Sequence, residues 1–465
     1  MSTLNLAKWA TDLSPSQIPP SVLKAAQRSL YNYIGCTIGG CTHPTVQKAR
    51  AALLPFSGPA TSTLLGSTHI SSSSSSLQKI NKSDAQHASL LDGISSHVHD
   101  YDDTHLATII HPTGPVASAL LAFIEYQSST RDIVISGEEL LTALIAGIEV
   151  SCKLGLAVWP SHYDLGWHIT STTGSIGAAV AVGKILKLDA QQMAHAIGIS
   201  ATQVTGLREM FGSDTKSFHV GRATQNGLLG AVLAGQGFTS SMTALEAKRG
   251  WGNVVVGSGE PRLEGLLEEL GTVWEVERNS FKPFPCGIVC HPAIDACIQL
   301  AREMRLRGEE YVAEIENVEM RVHPLVMELT AKRRPLDGLQ AKFSVFHGCA
   351  VGLMYGKAGP AEYADEVVIN PTVVALRDTI QATADENVQA DEVFLKVFLK
   401  GGVVVEKHVL HAVGSVEVPM TDEQLGEKFL GQVELVVGSV QAREVSELAW
   451  KLGVVDDVAR LIARL

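Results

Sequence analysis

Charged residues are scarce in this sequence, and basic residues are fewer than acidic ones. Asp, Glu, Lys and Arg make up 18% of the 465 residues, hydrophobic residues make up 45%, and the formal net charge is -12. Such a chain has no general attraction for nucleic acid, and no local run of Lys or Arg supplies one. The composition predicts a globular protein with a large interior, and the length predicts two domains.

Cysteines are few, and their number is odd. The seven are Cys36, Cys41, Cys152, Cys286, Cys290, Cys297 and Cys349. This scattered set does not suggest a secreted disulfide framework, so we expect a reducing, cytoplasmic location. The start of the chain has no basic segment followed by an apolar run, and no later stretch looks long and apolar enough for a membrane span. The last three residues, Ala463, Arg464 and Leu465, loosely resemble a peroxisomal address, but chance is the preferred explanation.

The first half of the sequence is dominated by helical periodicity. The predicted helices are 21–34, with Gly35 as a stop, and 138–150, 174–186 and 227–235. The last two are apolar nearly all round, as expected inside a bundle. The glycines Gly174, Gly177 and Gly183 lack a preceding strand and the dinucleotide-binding spacing, so close helix packing explains them better. The serine run at 71–76 is predicted to be an exposed connection.

The pattern changes after about Trp274. Residues 317–323 alternate as a half-buried strand does, and 393–400 and 403–410 flank Gly401 and Gly402 as a hairpin. Helical periodicity returns from Asp422, and 444–465 could rejoin the first bundle. The predicted fold is mostly α, with a large discontinuous all-helical domain (1–275 and 421–465) and a smaller inserted α+β lid domain (276–420). The gap between these domains is the natural place for a ligand.

The densest group of ionisable residues lies at 97–111, with the sequence HVHDYDDTHLATIIH. It holds four histidines and the carboxylates Asp100, Asp102 and Asp103, beside the hydroxyls of Thr104 and Thr108. Buried ionisable groups are costly unless they are paired, so the segment is either a solvated loop or a functional site. Because His111 leads directly into an apolar helical stretch, we favour a site.

Three further segments contain candidate residues. His168 precedes a helix start, where it could meet an anion or be an ordinary core histidine bonded to a backbone carbonyl. Lys216 precedes the helix that contains 227–235, and it could bind a carboxylate or be a solvated surface lysine. Lys282 is predicted to be held among apolar neighbours, in a segment whose backbone is fixed by Pro283 and Pro285. Cys286, Cys290 and His291 suggest zinc, but a second ligand pair at recognisable spacing is missing, so we predict no metal site there.

These segments resemble the MmgE/PrpD family, which includes 2-methylcitrate dehydratases, cis-aconitate decarboxylases and iminodisuccinate epimerases. The resemblance spans nearly the whole chain and is carried in family order by HDYDDTHLATIIHPTG, GWHITSTTGSIGAA, DTKSFHVGRATQNG, FKPFPCGIVCHPAIDA and GLQAKFSVFHGCAVGLMYGKAG. It implies a helical domain, a lid-like domain, a cleft between them, a homodimer, and no metal or organic cofactor. Gly287 stands where animal decarboxylases of the family have histidine, whereas the cysteine-bearing loop also resembles fungal decarboxylases and 338–359 resembles the epimerase branch.

The resemblance also implies the site residues. Asp100, His111, Lys216 and His168 are predicted to be catalytic, and Thr104, Lys282 and His291 to bind substrate. The implied activity is that of a cofactor-independent lyase that dehydrates or decarboxylates a small polycarboxylate through proton transfer next to a carboxylate. Cationic side chains would stabilise the negative charge that develops. An epimerase or isomerase of a polycarboxylate such as iminodisuccinate, and a catalytically silent binding protein, are the alternatives.

Overall fold

The computed structural model describes residues 2–67, 81–305 and 311–465. The chain divides into two compact units. The first comprises Met1–Val98, Asp102–Ser280 and Leu425–Leu465, and the second comprises His99–Tyr101 and Phe281–Gln424. The serine run at 71–76 lies outside the described residues. The mostly helical class is confirmed, while the lid function of the inserted part stays a prediction.

Helices dominate the described residues. In chain order they are α1 (Ser2–Asp12), α2 (Pro20–Gly40), α3 (Pro44–Leu53), α4 (Ala85–His97), α5 (Thr113–Arg131), α6 (Gly137–Val158), α7 (Ser161–Asp164), α8 (Ile169–Ile185), α9 (Ala190–Ala201), α10 (Asp214–Gly235), α11 (Trp251–Val255), α12 (Leu263–Glu268), α13 (His291–Arg305), α14 (Pro324–Thr330), α15 (Gly338–Ala341), α16 (Val345–Tyr355), α17 (Asp365–Val368), α18 (Pro371–Thr379), α19 (Asp422–Val437), α20 (Ser439–Lys451) and α21 (Val458–Ile462). The predicted helices fall within these elements, except that α8 ends one residue before the predicted end at 186. Helices α13–α18 belong to the second unit.

The core of the first unit is built around α8, which is buried along almost its whole length. Close packing of α8 against α6 depends on glycine, because a Cβ on Gly177 would lie 2.5 Å from the carbonyl oxygen of Gly147. This agrees with the packing explanation given above for the glycines of α8. Neither helix could carry a larger side chain at these positions without moving apart.

Two expectations about helices were wrong. Gly35 does not stop α2, which continues to Gly40, because the ring of Phe429 packs where a Cβ of Gly35 would be, at 2.6 Å. Helix α6 is long and apolar enough to cross a membrane, with a mean hydropathy of 1.7 in its most apolar window. However, 94% of that window is buried inside the protein, as is usual for a core helix of a globular protein.

The second unit combines helices with a four-stranded sheet. The strands of the described chain are β1 (Ser62–Thr63), β2 (Lys82–Ser83), β3 (Asp103–His105), β4 (Asn279–Phe281), β5 (Ile315–Val322), β6 (Ile380–Ala384), β7 (Val393–Leu399) and β8 (Val403–Val409). The sheet order is β6-β5-β7-β8, with β5 and β6 parallel and the other neighbours antiparallel. The hairpin prediction is confirmed, and Gly401 and Gly402 both have φ near +80°. The alternation in β5 is also confirmed, since Val318, Met320 and Val322 are buried.

Candidate active site

Apart from His99–Tyr101, the polar segment at 97–111 belongs to the first unit and is mostly buried there. His97 ends α4, β3 begins at Asp103, and His111 lies just before α5. The side chains of Asp102 and Asp103 are buried, as are Thr104 and His111. The solvated-loop alternative is therefore wrong, and the charged and polar groups here must be satisfied by one another or by a ligand.

His97 and Asp102 form a buried hydrogen-bonded pair. The distance from Nδ1 of His97 to Oδ2 of Asp102 is 2.7 Å, and the two side chains are 0% and 3% exposed. Within the described residues, Nε2 of His97 is buried without a hydrogen-bond partner. This pair was not predicted from the sequence, although both residues lie in the segment 97–111.

His111 is oriented by a backbone carbonyl. Its Nδ1 lies 2.6 Å from the carbonyl oxygen of Asp103 and 3.1 Å from Oγ1 of Thr104. A carbonyl oxygen only accepts hydrogen bonds, so we assign the proton of a neutral ring to Nδ1 and the lone pair to Nε2. This arrangement presents Nε2 as the basic atom of the ring.

Asp103 has a supporting part in this region. Its carboxylate accepts from the backbone nitrogen of Thr113 at 3.2 Å, from the Thr113 hydroxyl, and from Nδ2 of Asn279 at 2.5 Å. Burial, followed by the negative charge of Asp102, raises the pKa of Asp103 to about 6. Asp103 thus ties β3 to the start of α5 and so fixes the carbonyl that orients His111.

His168 occupies the position before α8 and belongs to the same cluster of imidazoles. Its Nδ1 lies 3.0 Å from Nδ1 of His219, so one ring donates to the other. The centroid of the His97 ring is 5.9 Å from that of His168 and 5.0 Å from that of His111. The core-histidine alternative, with a ring bonded to a backbone carbonyl, does not describe this arrangement.

The imidazoles of His168 and His219 are held neutral. Burial, followed by electrostatic interactions with His97 and Lys216, lowers the pKa of His168 well below its usual range. Burial and the same two neighbours lower the pKa of His219 to about 4. His168 would therefore meet an anion through a neutral N–H group.

Lys216 is close to these rings. It does not precede the helix as predicted, because α10 begins at Asp214 and Lys216 lies in its first turn. The side chain is half-buried, and Nζ lies 5.1 Å from the ring centroid of Phe211. The solvated-surface alternative is not supported, and the charge of Lys216 is near enough to depress the pKa of both His168 and His219.

Asp100 and Lys282 form an ion pair within the second unit. Nζ of Lys282 lies 2.6 Å from Oδ1 of Asp100, and both side chains are buried. Asp100 has a φ of +52°, a left-handed conformation that costs free energy for any residue except glycine. Lys282 was predicted to lie among apolar neighbours, whereas its ammonium group contacts the carboxylate of Asp100.

His291 begins α13 in the second unit and is buried beside a group of cysteines. Its Nε2 has no hydrogen-bond partner among the described residues, and its ring meets Phe284 edge-on at 5.6 Å. Burial opposes ionisation of Cys286, but hydrogen bonds with Cys290 and His291 lower the pKa of the Cys286 thiol to about 5. Among the described residues, Cys286, Cys290 and His291 are not one of the groups whose ligand atoms all lie within 4.8 Å of one another. The absence of a metal ion at these residues stays a prediction.

Other groups have spacings that a metal ion could use. Ligand atoms of His97, Asp102 and His111 lie within 4.8 Å of one another in the first unit. In the second unit, Asp391, His411 and Glu417 make a more exposed group of the same kind. Imidazole and carboxylate are common ligands for borderline and hard ions, so the absence of a cofactor stays a prediction for this protein.

The structure thus assembles the predicted residues in two sets. The first unit brings together Thr104, His111, His168 and Lys216, and the second unit pairs Asp100 with Lys282 and separately buries His291. His97, Asp102 and His219 were not predicted as site residues from the sequence. The density of histidine and aspartate at 97–111 pointed to the first two, and the spacing of three residues between Lys216 and His219 could have indicated the third, since such residues share a helix face.

Comparison with known protein families shows which family the chain belongs to. The sequence pattern of the MmgE/PrpD N-terminal domain matches residues 4–264, and that of the MmgE/PrpD C-terminal domain matches residues 284–452. The chain belongs to the MmgE/PrpD family. The family resemblance expected from the five segments is therefore confirmed.

Named relatives in the MmgE/PrpD family include decarboxylases and dehydratases. A cis-aconitate decarboxylase-like protein, oryM, of Aspergillus oryzae is 26% identical over 481 aligned positions, which cover 99% of this chain and 96% of the relative. Human cis-aconitate decarboxylase is 25% identical, with 88% of each chain covered. The 2-methylcitrate dehydratase of Salmonella typhimurium is 25% identical, with 63% of this chain and 61% of the relative covered.

Proposed function

We propose that this protein is a lyase that acts on a small polycarboxylate, transferring a proton at a carbon next to a carboxylate and completing a dehydration or a decarboxylation. The observation that carries this proposal is the buried cluster of His111 and His168 beside Lys216 in the first unit. The names of the relatives, which are cis-aconitate decarboxylases and a 2-methylcitrate dehydratase, support the substrate class.

Dehydration and decarboxylation pose the same physical problem in such substrates. Electron density is released beside a carboxylate that is already negative, so the developing enolate-like charge must be stabilised. In the proposal, Lys216 supplies positive charge and His168 supplies a neutral N–H donor. Because these groups are held by helices in a buried environment, their interactions with the charge are stronger than in water.

His111 is proposed to transfer a proton through Nε2. Its Nδ1 is held by the carbonyl of Asp103, so Nε2 has a defined direction and the ring need not reorient during the reaction. Thr104, at 3.1 Å from Nδ1, limits rotation of the same ring and orients the substrate or a proton donor. The family resemblance adds three further roles to the proposal. Asp100 would be a second proton-transfer group, and Lys282 and His291 would bind substrate.

The second candidate function is that of an epimerase of a polycarboxylate such as iminodisuccinate. It is favoured by the segment 338–359, which resembles the epimerase branch of the family. Epimerisation needs a base on each face of one carbon and no leaving group, and histidine and lysine are suitable for this. Residue types therefore cannot separate the two activities, whereas the products can.

One experiment tests these candidates together. The protein is incubated in deuterated water with citrate, 2-alkylcitrates, cis- and trans-aconitate and iminodisuccinate, and products are followed by NMR. We expect loss of water or of carbon dioxide from at least one compound. Deuterium entering an otherwise unchanged skeleton would instead support the epimerase, and binding of several compounds without turnover would support a catalytically silent protein.

Cofactor independence and a homodimer are also parts of the proposal. Preincubation with EDTA followed by desalting should leave turnover unchanged, and a loss that zinc or magnesium restores would contradict a metal-free site. Light scattering coupled to size-exclusion chromatography should give twice the chain mass of 49.6 kDa. A single-chain mass at assay concentration would remove the dimer from the proposal.

A further inference from the structure

His97 lies at the centre of the imidazole cluster, and its two ring nitrogens differ. Nδ1 is 2.7 Å from Oδ2 of Asp102, whereas Nε2 is buried without a hydrogen-bond partner in the part of the chain that the structure describes. A buried polar atom left in this state costs free energy. Such a cost is expected where a ligand supplies the missing partner.

Other histidines of the first unit show that this arrangement is not general. His162 is equally buried, but Nδ1 contacts the carbonyl of Val255 at 3.1 Å and Nε2 contacts Oγ1 of Thr172 at 2.7 Å. His105 is buried, and its Nδ1 is hydrogen-bonded to Thr108 while its Nε2 is hydrogen-bonded to Glu275. In these structural histidines both nitrogens are satisfied, which distinguishes them from His97.

We propose that Nε2 of His97 is a proton-transfer atom of the reaction, with Asp102 as its positioning residue. This inference rests on the proposed function. In dehydration, the bond between hydrogen and the carbon next to the carboxylate breaks, a bond from hydrogen to Nε2 forms, and the electron pair enters the enolate-like system. That pair then forms the carbon–carbon double bond as hydroxide leaves, protonated by another acid of the site to give water.

In decarboxylation, the same atom acts in the opposite direction. The bond to the departing carboxylate breaks, carbon dioxide leaves, and protonated His97 returns its proton to the carbon that keeps the electron pair. Asp102 supports both directions, because a carboxylate hydrogen-bonded to Nδ1 fixes the ring orientation and stabilises the imidazolium form. The centroid of the His97 ring lies 5.0 Å from that of His111 and 5.9 Å from that of His168, so the ring is among the other candidate groups.

The substitution His97→Asn tests this role. The asparagine amide can still donate to Asp102, but the variant lacks Nε2. We expect kcat to fall about 10²–10⁴-fold with KM changed only a few fold, because acid–base groups contribute by this amount. Deuterium entry at the reacting carbon should fall in parallel.

The chain offers a matched control at the other end of α4. Nδ1 of His87 lies 2.7 Å from Oδ2 of Asp84, the same pairing at the same distance, but both side chains are about one-fifth exposed, at 19% and 21%. The variant His87→Asn should keep kcat within about twofold of the unmodified protein, because it removes a polar contact remote from the reacting groups. Circular dichroism and thermal melting of both variants report folding.

The possible results distinguish a failure of the role proposed for His97 from a failure of the proposed function. If the unmodified protein turns over no compound of the panel, the proposed function fails. If it is active and folded His97→Asn has an unchanged kcat, or only a raised KM, His97 is not the proton-transfer residue. Should His97→Asn not fold, Asp102→Asn decides: a fall in kcat of about tenfold or more supports the pair, and an unchanged kcat overturns it.

Discussion

The two ends of helix α4 carry the same histidine–aspartate pair in different surroundings. At the N-terminal end, Asp84 caps the helix by accepting from the backbone nitrogens of Gln86 and His87 at 3.0 and 3.1 Å. At the C-terminal end, His97 contacts Asp102 in the buried interior. In both pairs Nδ1 lies 2.7 Å from a carboxylate oxygen, so pair geometry alone does not distinguish a structural role from a chemical one.

What distinguishes the pairs is burial and the partners of the remaining atoms. Burial alone would raise the pKa of Asp84, but hydrogen bonds from His87, Gly58 and Ser57 lower it below 3.8. Asp84 is thus an ordinary cap, in which a carboxylate satisfies the open end of a helix. His97 has a buried nitrogen with no such partner in the described residues. The comparison teaches that an unmet hydrogen bond in a buried cluster is more informative about function than the pair itself.

The largest effect expected at the buried end is that of His111. The substitution His111→Asn removes Nε2 and should reduce kcat/KM about 10²–10⁴-fold, because a positioned acid–base group is lost. The measurement is a steady-state assay on the best substrate of the panel. Comparison with His87→Asn is the control, and equal activities of the two variants would remove His111 from the mechanism.

A smaller effect, on stability and not on activity, is expected at His162. This buried histidine has no carboxylate among its hydrogen-bond partners. Burial lowers the pKa of His162 to about 4, despite the Val255 carbonyl that opposes this. Between pH 6.5 and 4 the unfolded chain binds a proton at this residue and the folded protein does not, so stability falls as pH falls. The contribution of His162 over this window is about 3 kcal/mol at most.

Urea denaturation at several pH values measures this dependence. The variant His162→Gln cannot take up the proton, so its free energy of unfolding should fall less steeply than that of the unmodified protein between pH 6.5 and 4. The same slope in both proteins would mean that His162 is not held neutral by burial. His87→Asn provides the comparison at a partly exposed site.

The next largest effect is expected on kcat/KM when Lys216 is replaced, with Lys48 as the comparison. Lys216→Met removes the positive charge beside the imidazoles, and we expect kcat/KM to fall about 10–10²-fold, since one electrostatic contact with the developing negative charge is lost. Lys48 is a matched control because its ammonium group, in an exposed side chain, lies 2.9 Å from Asp214 at the start of α10. Lys48→Met should stay within about twofold, and a similar loss in both variants would point to general charge instead of a local contact.

The smallest effect is expected at the exposed end of α4. Asp84→Ala removes the cap and should lower the free energy of unfolding by about 1 kcal/mol, with kcat and KM unchanged. Chemical denaturation and the steady-state assay measure the two quantities. A large loss of activity in this variant, with folding intact, would contradict the division between a structural pair and a chemical pair.

Local patterns in the sequence predicted elements that depend on near neighbours. The alternation in β5 predicted its buried face, and the paired glycines between β7 and β8 predicted the hairpin. Both features are decided by adjacent residues. Helix ends were less reliable. Gly35 continues α2 because Phe429 packs against it from almost 400 positions away, and Lys216 lies inside α10 because the helix begins earlier than the apolar pattern does.

Residue chemistry by itself determined the family, the candidate residues and the segment in which most of the ionisable ones are concentrated. Only the tertiary structure decided which of these groups meet, because burial and hydrogen-bond partners come from distant parts of the chain, as when Asn279 contacts Asp103. For the same reason, it alone distinguished His97 from His87. Both histidines belong to one helix and each contacts an aspartate, but water reaches the second pair and is excluded from the first.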